Sequence, residues 1–166
     1  MAGNSTQTIL GLSPGSRDIG VAVLQDGTLK EWRIVSIRAK TLQEKIQMLK
    51  QILNRLHRSY QLTSVAMKGI HLHPSFVQLE CVTHEIQSFA HEHRLRVQIF
   101  SLTKLKNTLM VPKGEDRCFM ADLIADHYPV LYSELRRRII RNNSYSLKIF
   151  EAVAVVRASS ISVPSE

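Results

Sequence analysis

The sequence predicts an α/β fold with one mixed five-stranded sheet and helices on both of its faces. Short β-prone apolar runs come first, and later ones alternate with segments of helical periodicity. The first three runs follow one another directly, which indicates hairpins, whereas helices separate the later ones, which indicates crossovers. A length of 166 residues with 44% hydrophobic content suits a single well-buried core.

The N-terminal region predicts a three-stranded antiparallel meander. Thr8 to Leu12 is the first strand, and the turn formers Ser13-Pro14-Gly15-Ser16 end it. Ile19 to Leu24 and Thr28 to Ile37 flank Asp26-Gly27, a dipeptide typical of tight hairpin turns. These runs therefore predict the first three strands of the sheet.

The rest of the chain alternates between helices and strands. Thr41 and Glu44 have the capping-box spacing, and the apolar residues after them recur at helical intervals. Strands over Ser64 to Ile70 and Leu95 to Phe100 flank a helix that begins at Pro74. The remaining helices are expected from about Leu102, from about Gly114 to Tyr128, and from about Ser144 to Ala158.

The domain organisation predicted from the sequence is simple. Residues 8–158 form one domain, and residues 1–7 and 159–166 are expected to be flexible tails. No apolar run reaches the length of a bilayer span and the N-terminus lacks signal-peptide features, which predicts a cytoplasmic protein with no membrane partner. Cys81 and Cys118 lie far apart in apolar segments, so buried thiols are favoured over a disulfide or a zinc site.

The chain is strongly basic. It has 22 Lys and Arg against 14 Asp and Glu, a net charge of +8 and a pI near 9.8. Such an excess favours polyanionic partners, with nucleic acid first among them. A basic protein that is merely kept in solution by its charge is the alternative.

Three segments resemble the RuvC-like Holliday junction resolvase branch of the RNase H superfamily. The string Ile9 to Val23 resembles the family's opening, in which an apolar strand, Asp-Pro-Gly-Ser, a glycine and a second apolar strand follow one another. Val65 to Ile70 matches the family's fourth strand, and Ile149 to Val156 matches its C-terminal helix. The resemblance spans roughly Thr8 to Ala158. It implies an RNase H-like fold of the RuvC type that acts on nucleic acid as a homodimer.

The resemblance also implies where the family's metal-binding acids fall. They fall on Ser13, Lys68 and Glu151, and Lys148 occupies a position one turn earlier that is sometimes acidic. A two-metal nuclease needs about three carboxylates to hold its cations, and an ammonium group repels them. We therefore expect a degenerate site without a metal cofactor, in which Lys68 pairs with Glu151. A solvent-exposed Lys68 at a strand end is the alternative.

An active site could still be rebuilt from other side chains. If the protein is an active nuclease, Asp18 and Glu151 are the expected ligands for Mg²⁺ or Mn²⁺. Four further residues are candidate replacement ligands, although the histidines are more typical of ordinary surface positions: His71, His73, Glu80 and Glu85.

The segment from Arg136 to Arg141, which we call the arginine run, lies between the last two predicted helices and is the strongest candidate for phosphate binding. Arginine and lysine side chains contact backbone phosphates without reading sequence. A solvated loop is the alternative interpretation. Lys104 and Lys106 extend the same predicted surface. The predicted nucleic-acid contacts are Lys68, Lys113, Arg136, Arg137, Arg138, Arg141 and Lys148.

The sequence leaves three functions open. The first is a catalytically degenerate protein that binds branched or duplex DNA or RNA without cutting it. The second is an active Mg²⁺- or Mn²⁺-dependent endonuclease with a rearranged carboxylate site. The third is a protein-interaction scaffold that has kept only the fold.

Overall fold

The computed structural model describes residue 3 and residues 5–70, 77–141 and 147–162, without the side chains of 138–141. The described strands are β1 (Thr8–Ser13), β2 (Asp18–Gln25), β3 (Thr28–Ser36), β4 (Ser64–Lys68) and β5 (Arg96–Phe100). The described helices are α1 (Leu42–Tyr60), α2 (Val77–Glu92), α3 (Leu102–Thr108), α4 (Arg117–His127), α5 (Tyr132–Arg141) and α6 (Leu147–Ser162), with a 3₁₀ turn at Pro129–Leu131.

The five strands form one mixed sheet with the order β3-β2-β1-β4-β5. β1 lies at the centre, antiparallel to β2 and parallel to β4, and β4 is parallel to β5. β3 pairs antiparallel with β2 at one edge. The predicted α/β fold with a mixed five-stranded sheet is therefore confirmed.

Each face of the sheet has its own apolar core. Leu10, Leu12 and Met67 point to one face, where they join the buried residues of α1 and α2. Ile9 and Ala66 point to the other face, which α3, α4 and α6 cover. The separation follows from the alternation of side chains along a strand, so helices pack on both faces as predicted.

Two glycines let α6 lie directly on the centre of the sheet. A Cβ atom on Gly11 of β1 would overlap the carbonyl of Ala152, and one on Gly20 of β2 would overlap the carbonyl of Lys148. Without those side chains the helix and the strands can approach closely. The close approach brings residues 148 and 151 against the ends of β1 and β2.

The arginine run is helical, which corrects its placement in a loop. Residues 136–141 belong to α5, where Leu135 packs against the core and Glu134 pairs with Arg137 at 3.3 Å. Arginine and leucine are good helix formers, so charge alone does not distinguish a loop from an exposed helix.

The helix expected from Gly114 begins at Arg117 because the Asp116 carboxylate accepts bonds from two backbone N–H groups of its first turn.

The predicted tails also need a correction. Ser159–Ser162 continue α6 as helix rather than forming a flexible tail, and Gln7 exchanges two 2.9 Å hydrogen bonds with Asp26. The predicted helix starts at Pro74 and Ser144 lie outside the described residues. Cys81 and Cys118 are half-buried and are not joined by a disulfide. The single domain over 8–158 stays a prediction.

Candidate functional site

The candidate site lies where β1 and β4 end and α6 crosses them. The two strands are parallel neighbours, and the register pair Leu12 and Met67 places Ser13 beside Lys68 at the carboxyl end of both strands. Glu151 lies in the second turn of α6, which the glycines hold close to β1. Residues separated by 138 positions in the sequence therefore meet at one edge of the sheet.

Glu151 is the acceptor at the centre of this site. The residue is only 2% exposed. Its Oε2 atom accepts a 2.8 Å hydrogen bond from the Ser13 hydroxyl and lies 2.7 Å from the Lys68 ammonium, and its Oε1 atom contacts the Arg117 guanidinium. The predicted ion pair between Lys68 and Glu151 is therefore present, and Lys68 is not a purely solvent-exposed residue.

The contact of Arg117 with Glu151 was not predicted from the sequence. Arg117 is the first residue of α4, where the positive end of the helix dipole disfavours a cation. The negative charge of Glu151 offsets the unfavourable interaction of Arg117 with the helix dipole. The Arg117 Nε atom is buried without an acceptor among the described residues. The available signal was an arginine directly after Asp116, a residue type that often caps helices, because a cation is unfavourable in the first turn of a helix.

Lys148 adds a third cation to the site. Its ammonium donates a 3.0 Å hydrogen bond to the backbone carbonyl of Asp18. Burial, together with the charges of Lys68 and Arg117, lowers the pKa of Lys148, although the Asp18 carboxylate opposes this shift. Burial and the charge of Arg117 lower the pKa of Lys68 to about 8. Both pKa shifts follow first from burial of the ammonium group and second from the positive charges beside it.

These side chains do not suit a pair of divalent cations. Mg²⁺ and Mn²⁺ require several oxygen ligands, but the only carboxylate that the predicted positions supply already accepts from three donors. An ammonium and a guanidinium have no lone pair to offer and repel a cation. Within the described ranges, no three His, Cys, Asp or Glu side chains are grouped so that they could share a metal ion.

The candidate replacement ligands lie in other surroundings. The Asp18 carboxylate faces Arg38 at 3.4 Å and does not contact Glu151. Glu85 lies 3.8 Å from Lys50 of α1, and Glu80 is an exposed residue of α2. His71 and His73 lie outside the described residues.

A cleft of about 670 Å³ opens beside Glu151, and we call it the site cleft. Lys68, Arg117 and Lys104 line it, and the Lys104 ammonium lies 5.1 Å from the centre of the Phe100 ring. No acidic side chain is present among its described lining residues. The site cleft is therefore a positively charged depression next to the Glu151 carboxylate, whose charge is balanced by its ion pairs.

The other predicted phosphate contacts are spread over the surface. Lys113 is exposed before α4, and Arg136 and Arg137 are exposed on α5. No contact joins these three side chains to Glu151. The Lys106 ammonium donates to the backbone carbonyl of Glu115 at 2.7 Å. The side chains of Arg138 and Arg141 lie outside the described part of the chain.

Comparison with solved structures identifies the fold. RuvC from Thermus thermophilus matches with a TM-score of 0.69 and 12% identity over 93% of this chain and 94% of that one. The same RuvC in complex with a Holliday junction substrate matches with a TM-score of 0.66 and 13% identity over 93% of both chains. The chain has a RuvC-like RNase H-like fold. The yeast mitochondrial Holliday junction resolvase Ydc2 also matches, with a TM-score of 0.65 and 7% identity over 92% of this chain and 77% of that one.

The RuvC-like fold is supported by structure and not by overall sequence similarity. No protein-family model matches the sequence. No curated protein matches it either. The positions to which the resemblance assigns the family's acids are nevertheless joined by contacts, because Ser13 and Lys68 both contact Glu151.

Among the described helices, none has the length and apolar character that crossing a bilayer requires.

Proposed function

We propose that this protein binds nucleic acid through a RuvC-like site that no longer supports metal-dependent hydrolysis. The observation that carries the proposal is the contact of Lys68, Arg117 and Ser13 with the single buried carboxylate of Glu151. Cations and a hydroxyl thus occupy the space around the acid that metal ligands would need. With lysine, arginine and serine in place of metal-binding acids, the site favours the binding of an anion over that of a cation.

The binding step follows from the donors that remain unused. An ammonium has three N–H bonds and a guanidinium has five, whereas Glu151 accepts from each group through one oxygen. Remaining N–H bonds of the Lys68 ammonium and of the terminal nitrogens of Arg117 are available to phosphate oxygens in the site cleft, whereas the Arg117 Nε atom is buried. Glu151 holds the Lys68 ammonium and the Arg117 guanidinium in position, so less side-chain entropy is lost when a phosphate binds.

The same contacts argue against hydrolysis by this site. In metal-dependent phosphodiester cleavage, bound cations activate the water and stabilise the leaving oxygen. Glu151 is poorly placed to act as a general base, because it is only 2% exposed and both of its carboxylate oxygens already accept from Lys68, Arg117 or the Ser13 hydroxyl. Non-hydrolytic binding is the activity that the residues permit.

The proposed partner is branched or duplex nucleic acid. The net charge of +8 and the exposed Arg136 and Arg137 on α5 support phosphate contacts beyond the site cleft. A cytoplasmic location and a homodimer belong to the same proposal. RuvC in the comparison is a protein bound to a Holliday junction, which makes a four-way junction the first substrate to test.

Binding should depend steeply on salt and on the arginines of α5. With a labelled four-way junction and no metal, we expect affinity to fall by at least about a thousandfold between roughly 50 and 200 mM salt. Replacing Arg136 and Arg137 together by glutamate should weaken binding by at least about tenfold and lower the salt slope by about two. Lys30→Glu combined with Arg58→Glu makes the same change in net charge at exposed positions on β3 and α1, and this matched control should bind like the unaltered protein. Absence of binding at low salt would support the scaffold function instead.

Binding through Lys68 should weaken as the pH rises. With a pKa of about 8, Lys68 is mostly charged near pH 7 and mostly neutral near pH 9, whereas unperturbed lysines and arginines stay charged. We expect affinity for the junction to drop by about tenfold over this range, which corresponds to one charge-assisted contact. Lys68→Arg should bind with a flatter pH profile. An equally steep profile in that variant would exclude Lys68 as the titrating contact.

A further inference from the structure

A second cleft, of about 630 Å³, lies next to the site cleft, and we call it the α1 cleft. Leu79 lines both clefts. Pro14 lines the site cleft, whereas Ser16 and Arg17, two and three residues later, line the α1 cleft. The turn between β1 and β2 therefore joins the two depressions, and one extended ligand can reach both.

Lys45 is a buried cation in the α1 cleft. It is 6% exposed, and its ammonium donates to the Ser16 carbonyl and, at 2.8 Å, to the Gln78 side-chain oxygen. No described carboxylate pairs with it. Since an ammonium has three N–H bonds, one remains for a further acceptor.

The position of Lys45 is unfavourable for a cation in two ways. Burial removes the ammonium from water, and neutral acceptors compensate for this only in part. Lys45 is also the fourth residue of α1, where the positive end of the helix dipole raises the energy of a cation. An anion in the cleft would offset both effects, which is a reason to look for one there.

Two arginines complete the positive lining of the α1 cleft. Arg17 is exposed, and its backbone carbonyl accepts a 2.8 Å bond from the N–H of Ile37, which fixes the turn against the end of β3. One terminal nitrogen of Arg38 lies 3.4 Å from Asp18, and no described residue accepts from its other side-chain N–H groups. The described residues that line the cleft include no acid.

We propose that the α1 cleft is a second phosphate subsite, which binds a backbone phosphate of the same nucleic acid that occupies the site cleft. Lys45 donates its third N–H to the phosphate, and Arg17 and Arg38 supply charge-assisted bonds from the rim. This inference rests on the proposed nucleic-acid binding. It adds that the protein holds the backbone on both sides of the turn between β1 and β2.

Two variants test the subsite. Arg17→Ala removes an exposed side chain without removing any side-chain hydrogen bond or ion pair to a described residue, so it should leave stability unchanged. Lys45→Met keeps the aliphatic stem and removes the charge. Each variant should weaken binding of a labelled four-way junction by about tenfold and lower the salt slope by about one. Arg58→Ala, which lies at the far end of α1, is the control and should change neither quantity.

The outcomes separate the subsite from the proposed function. Urea unfolding is measured in parallel, because Lys45→Met also removes the link between Ser16 and Gln78. If the unaltered protein binds the junction and both folded variants bind it equally well, the subsite is refuted and the proposed function stands. If the unaltered protein does not bind at low salt, both fail. Thermal stabilisation by inorganic phosphate that depends on Arg17, without junction binding, would overturn the assignment to a nucleic-acid phosphate.

Discussion

Replacing Glu151 by alanine should lower the free energy of unfolding by about 3 kcal/mol. The carboxylate is 2% exposed and is the shared partner of Lys68, Arg117 and the Ser13 hydroxyl. Its removal leaves two cations close together without a counter-charge, and partial exposure of Lys68 and Arg117, at 22% and 40%, keeps the loss at the lower end of the range for buried pairs. Urea unfolding followed by circular dichroism measures the change.

Two further variants show whether the loss comes from unpaired charge. Glu92→Ala, at an exposed position at the end of α2, should change stability by less than about 0.5 kcal/mol. Adding Lys68→Met to Glu151→Ala should recover at least about 1 kcal/mol, because one of the two unpaired cations is then absent. A loss below about 1 kcal/mol in Glu151→Ala would mean that the carboxylate is not the main stabilising partner of these cations.

Restoring carboxylates to the site should create metal binding. A variant with Ser13→Asp, Lys68→Glu, Lys148→Asp and Arg117→Ala would place four carboxylates around the ends of β1 and β4, with Glu151 as the original member. Such a set supplies hard oxygen ligands where the unaltered protein supplies cations. Calorimetric titration with Mn²⁺ should show saturable binding at least about a hundredfold tighter than in the unaltered protein.

The control for this variant keeps the change in charge but moves it away from the site. Lys30→Glu combined with Arg58→Glu and Arg96→Glu makes the same change in net charge at exposed positions on β3, α1 and β5 and should not create saturable Mn²⁺ binding. Circular dichroism establishes that each variant is folded. Equal Mn²⁺ affinity in the unaltered and the rebuilt proteins would contradict the view that lysines at positions 68 and 148 exclude cations.

The fold could be predicted because its signals are local. The apolar β-prone runs of β1 and β2, the capping box at Thr41 and the hairpin turn at Asp26-Gly27 each depend on a few neighbouring residues. The helix of the arginine run was missed for the opposite reason. Its helical state depends on Leu135 reaching a core built from distant segments, which the charge pattern of the run does not reveal.

The candidate site could be predicted only in part. Ser13, Lys68 and Glu151 were expected together because of the resemblance, and the pair Lys68–Glu151 is present. Arg117 was not expected, because its contact with Glu151 spans 34 positions and depends on how α4 packs against α6. The α1 cleft likewise joins residues from a turn, the end of β3 and the starts of two helices, so no single stretch of sequence indicates it.

The most direct test of the central claim is an assay of binding and cleavage on the same labelled four-way junction. The unaltered protein is incubated with junction, duplex and single-stranded substrates, with Mg²⁺, with Mn²⁺ and without metal. Our account predicts binding that needs no metal and no cleavage product under any of these conditions. Metal-dependent cleavage by the unaltered protein that disappears in Glu151→Gln would contradict it.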